Sequence, residues 1–177
     1  MLHTNGLFNE YVERYGKEPS LRQLKNYHEE IESTLMKPAM LNHPSTIWAR
    51  QSIHNTMWLF EHGIALCKEF EFRYGKEHGS YSRTLQTPME YDADSTLATP
   101  VSIAMFDEYR IDNKYGKHCW EYVIDSYRHY YLEGKWKFAE WRNERMPNWW
   151  PKDHFKNKRN KEIMAFNERF GASIELM

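Results

Sequence analysis

The stretch Asn42-His43-Pro44-Ser45-Thr46-Ile47-Trp48-Ala49-Arg50-Gln51, continued through Trp58, Glu61-His62-Gly63 and Leu66-Cys67 to Arg73-Tyr74-Gly75-Lys76, decides the fold. It reads as one long helix over about 44–74. Pro44 suits a first turn, where a missing N–H costs nothing, His43 or Ser45 can cap it, and Gly75 supplies the left-handed residue that ends it. Ile53, Met57, Phe60, Ile64 and Cys67 make one apolar stripe, with Trp48, Asn55, Leu59, His62, Leu66 and Phe70 a second beside it. A helix apolar on two sides is expected at the centre of a fold. Asn55, Glu61, His62 and Glu69 would then be at least partly buried and would need partners.

Upstream, Leu7, Phe8, Tyr11 and Val12 predict a short helix over 6–15 that stops at Gly16. Ser20 and Gln23 stand at capping-box spacing ahead of a stripe of Leu21, Leu24, Tyr27, Ile31 and Leu35 that runs to Pro38. Downstream, 77–118 has two Thr-Pro steps, an acidic patch at Glu90, Asp92 and Asp94, and little periodicity. It reads as a long ordered loop, with Val101, Ile103, Met105 and Phe106 lying on the core. Helical pattern resumes from Cys119 with Trp120, Val123, Ile124, Tyr127, Tyr130 and Tyr131 before Gly134. Met146-Pro147-Asn148-Trp149-Trp150-Pro151 interrupts it, and a basic C-terminal helix carries Ile163, Phe166 and Phe170. Tyr-Gly-Lys recurs at Tyr15, Tyr74 and Tyr115 at unequal intervals, which is repeated helix-stop chemistry rather than a repeat architecture. No run alternates like a strand, so the class is all-α, a single helical domain over 1–177.

The chain of 177 residues is long enough for a real core, and its 16% aromatic content, with seven Trp and twelve Tyr, supplies either bulky packing or stacking surfaces. A formal charge of −1 gives no global field toward nucleic acid or membrane, so any basic footprint is local. With only Cys67 and Cys119 there is neither a disulfide framework nor a finger-type zinc pattern, which fits a reducing cytoplasm. No leader, lipidation motif or spanning apolar run is read, and no membrane partner is expected.

Candidate chemistry is sparse. Glu61 and His62 form an acid/base pair if the helix buries them. His54 and His62 are two turns apart, a poor zinc spacing whose alternative is hydrogen-bonded histidines, and no metal is assigned. Cys67 could be a nucleophile with His62 or His118 as base, yet its apolar stripe predicts an inert thiol. No glycine-rich phosphate loop or nucleophile elbow exists, and no cofactor is assigned. Trp149, Trp150 and Phe155 interleaved with Lys152, Lys156, Lys158 and Arg159 match the aromatic-plus-cation mixture used for nucleic acid, or else a solvated tail.

Asn42-His43-Pro44-Ser45 with Trp48, Leu66-Cys67-Lys68-Glu69, Arg73-Tyr74-Gly75-Lys76, Thr99-Pro100, Asp107-Glu108-Tyr109, Tyr127-Arg128-His129-Tyr130-Tyr131 and Pro147-Asn148-Trp149 together resemble a family of small phage and prophage proteins over roughly 42–150. That makes 1–41 divergent N-terminal helices and 151–177 a basic tail. The family is in turn similar to pyrimidine-dimer DNA glycosylases of the endonuclease V type, compact helical enzymes that use an N-terminal amine and a glutamate. Relatives begin with a segment resembling Asp-Lys-His that residues before Asn42 do not match, so the resemblance implies the fold and not that chemistry. The implied function is nucleic-acid binding or DNA processing in the cytoplasm of an infected cell. The alternative is a phage protein that binds and inhibits or redirects a host protein. The residues expected to carry it are Glu61, His62, Asp107 and Glu108 as catalytic groups, Trp149, Lys152, Lys156, Lys158 and Arg159 for nucleic acid, and His43, Trp48, Asn55 and Tyr131 around a pocket.

Overall fold

The helical periodicity is realised in a computed structural model that describes residues 1–34, 36–82, 98–112, 119–141 and 145–177. The helices are α1 (Leu2–Tyr15), α2 (Leu21–Glu30), α3 (Pro44–Arg50), α4 (Ile53–Tyr74), α5 (Trp120–Glu133) and α6 (His154–Phe170), with 3-10 turns at Asp107–Tyr109 and Trp136–Phe138. No strand occurs among the described residues, and the fold is all-α. The chain divides into two compact units, Met1–Ala104 with His118–Val123, and Met105–Lys117 with Ile124–Met177.

The first unit is built on residues upstream of Asn42. Leu7, Phe8 and Tyr11 of α1 close on Leu24 and Tyr27 of α2 and on Leu41, each such side chain contributing about 1.5–3 kcal/mol on full burial. Polar groups fix the register. Tyr27 donates to Glu10 at 2.7 Å, the Thr4 hydroxyl exchanges hydrogen bonds with both backbone groups of Ala39, and Asn5 Nδ2 donates to the Thr46 carbonyl at 3.0 Å. Arg50 donates to the Leu41 carbonyl at 2.8 Å while its guanidinium lies 4.6 Å over the Phe8 ring. The Ser20–Gln23 capping box forms as expected, and Gly16 and Gly75 end α1 and α4 in the left-handed region. Tyr115 and the acidic patch of 90–94 lie outside the described residues.

Three expectations need correction. The run 44–74 is two helices, because Ser52 takes an extended backbone (φ −153, ψ 156) and its hydroxyl caps α4 by accepting from the Asn55 N–H at 3.1 Å. The α2 stripe stops at Glu30 rather than Pro38. Glu32 turns left-handed at φ 49, and the Ser33 N–H reaches the His28 carbonyl while the Glu32 N–H reaches that of Glu29, a Schellman closure without glycine. Thirdly, α4 is not buried on two sides. Asn55 and Cys67 are its buried residues, whereas Glu61, His62 and Leu66 are exposed. Val101, Ile103 and Met105 are half-buried, but Phe106 is 74% exposed rather than on the core.

In the second unit Trp150 is the hub. Its ring meets Trp141, Trp149 and His154 edge-on at 5.3, 5.7 and 5.1 Å, and buried Trp136 packs against Phe155 of α6 at 5.4 Å. His154 Nε2 bonds the Leu132 carbonyl at 2.8 Å and Lys158 pairs with Glu133, so α6 is tied to the end of α5. Of the aromatic-basic run Trp150 is therefore core, whereas Lys152, Phe155, Lys156 and Arg159 are exposed.

Candidate functional site

Asn55 of α4 and Trp48 of α3 are joined through Thr99. Asn55, 1% exposed, donates to the Trp48 carbonyl at 2.9 Å and to the Thr99 hydroxyl at 3.0 Å, and its oxygen accepts the Thr99 N–H at 3.0 Å. Trp48 Nε1 donates to the same hydroxyl at 3.0 Å. Every lone pair and proton of the Asn55 amide thus has a partner, and the network pins 98–101 to the α3–α4 junction. His43 caps α3, its Nδ1 accepting from the Ser45 N–H at 3.2 Å. These three pocket candidates are structural.

Around Trp58 there is an aromatic cluster. Trp48 meets it edge-on at 5.6 Å, Trp120 lies at 5.5 Å, and His62 stacks on it at 4.9 Å with planes 12° apart. The stack removes water from the imidazole, and this desolvation lowers the His62 pKa below 6.5. Glu61 beside it faces solvent, so the expected carboxyl on a buried face is absent. Cys67 is buried with Sγ 3.9 Å from His78 Nδ1, but that nitrogen also accepts the Ser80 N–H at 3.1 Å. A nitrogen already accepting there cannot take the thiol proton without losing Ser80. Among the described residues no group of three or more His, Cys, Asp or Glu side chains could hold a metal.

Of the four expected catalytic groups, Glu61 and His62 fall in the first unit and Asp107 and Glu108 in the second. Asp107 pairs with Arg110 at 3.2 Å. The Tyr109 phenol has its pKa raised by desolvation first and by the neighbouring Glu108 carboxylate second.

The second unit carries a cleft of about 420 Å³ lined by Tyr127, Tyr130, Tyr131, Lys135 and Phe138. Helical spacing puts the three tyrosines and Lys135 on one face of α5 and its end, and the 3-10 turn brings Phe138 across from them. The Lys135 ammonium lies 5.5 Å over the Tyr130 ring and 5.6 Å over Phe138, with no carboxylate in ion-pair distance among the described residues. Tyr131 and Phe138 remain 45% and 79% exposed. Behind the cleft Tyr109 packs on Tyr130 at 4.9 Å, held by His129 Nδ1 bonding the Tyr109 carbonyl at 2.9 Å. Gly134 makes that packing possible, since a Cβ there would stand 2.8 Å from the Tyr109 ring and 2.9 Å from Tyr130.

Sequence reasoning named Tyr131 and missed Tyr127, Tyr130, Lys135 and Phe138. The signal was present as an i, i+3, i+4 tyrosine stripe running into Gly134-Lys135, the same mixture recognised at 149–161. At 149–161 the residues are partly engaged. Trp149 lies 5.7 Å under Arg128, Lys158 is paired with Glu133, and Arg159 with Glu162 at 3.1 Å. Lys152 and Lys156 are exposed without an ion pair among the described residues. None of the described helices is long and apolar enough to cross a membrane. Set against protein-family models, curated proteins and solved structures, the chain matches none, and its function is read from this geometry.

Proposed function

We propose that the second unit binds single-stranded nucleic acid at the Tyr127–Phe138 cleft, with bases stacking on Tyr131 and Phe138 and Lys135 meeting a phosphate. The observation that carries the reading is two exposed rings flanking an ammonium with no carboxylate partner among the described residues, in a cleft of about 420 Å³. Exposed rings on a surface are otherwise a liability, and every base offers a face to stack on them. Lys152 and Lys156 would extend the contact along the same unit. The resemblance to phage proteins related to base-excision enzymes agrees with a nucleic-acid partner. No chemical step is assigned, as Glu61 is solvated and Asp107 is engaged by Arg110.

The test is fluorescence anisotropy of a labelled single-stranded oligonucleotide at low and at moderate salt. Phe138→Ala and Tyr131→Ala are expected to weaken binding about 5- to 150-fold each, the equivalent of one stacked base. Lys135→Ala should lower the slope of log affinity against log salt by about 0.7, one phosphate contact. If no oligonucleotide binds at low salt, or all three variants bind like the parent, the reading is wrong. A protein partner is the second reading. It is favoured by the half-exposed apolar residues Met164, Phe166, Phe170, Ile174, Leu176 and Met177.

A further inference from the structure

We infer that the nucleic-acid site continues from the cleft along α5 as a track, with Arg128 as its second phosphate contact and Trp149 as its second stacking platform. The inference rests on the cleft reading and narrows the substrate to a strand of several nucleotides, as opposed to a single nucleotide or a chain end. Arg128, Tyr131 and Lys135 stand at i, i+3 and i+7 of α5, so one helix face carries a ring between two cations. Lys135 lies over Tyr130 and Phe138, and at the other end of the row the Arg128 guanidinium lies 5.7 Å over the Trp149 ring. The same pairing of cation and ring thus occurs twice along one element.

The parts of the second pair are within reach of a ligand. Arg128 is exposed, and Trp149 is half-buried with its ring held edge-on against the buried Trp150 at 5.7 Å. Arg128 also meets the Asp125 carboxylate at 3.5 Å, but the two side chains are 44% and 41% exposed. A pair so open to water is weak, whereas a phosphate can take the guanidinium through two parallel hydrogen bonds. As at Lys135, the cation exchanges its ring for a phosphate and the ring face passes to a base. Lys137 does not continue the row, since it is ion-paired to Glu162 at 2.6 Å.

The spacing sets the length. Lys135 and Arg128 are seven residues apart, about 10.5 Å along the helix. Charges along one strand of stacked nucleic acid recur about every 3.4 Å. Two phosphates that reach both cations are therefore about three steps apart, which takes a strand of about four nucleotides. Tyr131 falls between the cations, where the intervening bases pass.

The experiment is fluorescence anisotropy of the full chain with labelled oligothymidylates of two and of five nucleotides, across a salt series. The longer probe should bind about tenfold tighter or more, because only it engages the second phosphate contact and the second ring. On that probe Arg128→Ala should lower the slope of log affinity against log salt by about 0.7, and Arg128→Lys should restore it. Trp149→Ala should weaken the longer probe about 5- to 150-fold and leave the shorter one nearly unchanged. Circular dichroism checks that this variant folds, and should it not, the Arg128 variants carry the test. Lys25→Ala, which removes an exposed cation of α2, should keep the parental slope. Equal affinity for the two probes overturns the track and leaves the cleft reading standing. So does an Arg128→Ala slope like that of the parent, a folded Trp149→Ala that binds like the parent, or an equal loss of slope in Lys25→Ala. A chain that binds neither probe at low salt overturns both readings.

Discussion

At the scale of single residues, Asn55 and His62 show how alike two polar positions on a stripe look before packing is known. Both stand on the same predicted face of α4. Asn55 is buried with every amide group partnered, whereas His62 sits at the surface, stacked on Trp58. The difference decides what substitution does. Asn55→Ala removes the partner of the Thr99 N–H and one of the two donors to the Trp48 carbonyl, which keeps the Gln51 N–H, and chemical denaturation should show a loss of about 1–3 kcal/mol. Thr99 is what makes Asn55 structural, and it lies more than forty residues away in sequence, beyond the reach of any local spacing.

At the scale of elements, short-range chemistry was the most legible. The Ser20–Gln23 box, the Pro44 start and the left-handed Gly16 and Gly75 stops all follow from residues within one turn. The misreadings have the same cause in reverse. Ser52 interrupts a periodic run without glycine or proline, since its hydroxyl offers the Asn55 N–H an alternative to a continuous helix. Ser52→Ala should destabilise the protein by about 1 kcal/mol, measured by urea titration, by removing that cap. At Glu32 a non-glycine residue takes the left-handed turn, a conformation that tertiary contacts of Tyr27 and Ile31 impose and propensity does not announce.

At the scale of the whole molecule, the titrating groups set a direction for stability with pH. His62 has a folded pKa below 6.5, so the unfolded chain binds its proton more tightly. Its contribution is undiminished above 6.5 and falls as pH drops from there through the lowered folded value. Glu133 and Glu162 act in a lower window. Hydrogen bonds from Lys158 and Lys137 depress their pKa values, giving stability that is present above 4.5 and lost as pH falls through the depressed values. His62→Gln should therefore gain on the parent in urea midpoint as pH goes from about 7.5 to about 5.5, a range that lies above the window of Glu133 and Glu162. A difference that does not change with pH would show that the stacked imidazole is not the group responsible.

The sequence by itself determined the class, the glycine stops at Gly16 and Gly75, most caps, and the apolar stripes of α1, α2 and α5, because each depends on neighbours within a turn or two. Only the tertiary structure decided which stripe is buried. It put the core on Leu7, Leu24 and Tyr27, upstream of the stretch that promised to be central, and left Glu61, His62 and Leu66 of α4 exposed. It also brought Phe138 across from the α5 tyrosines and laid 174–177 along Asn160 and Asn167. Both arrangements arise where the chain reverses, at Gly134-Lys135 and at Gly171, and a reversal sets residues together that no periodicity relates.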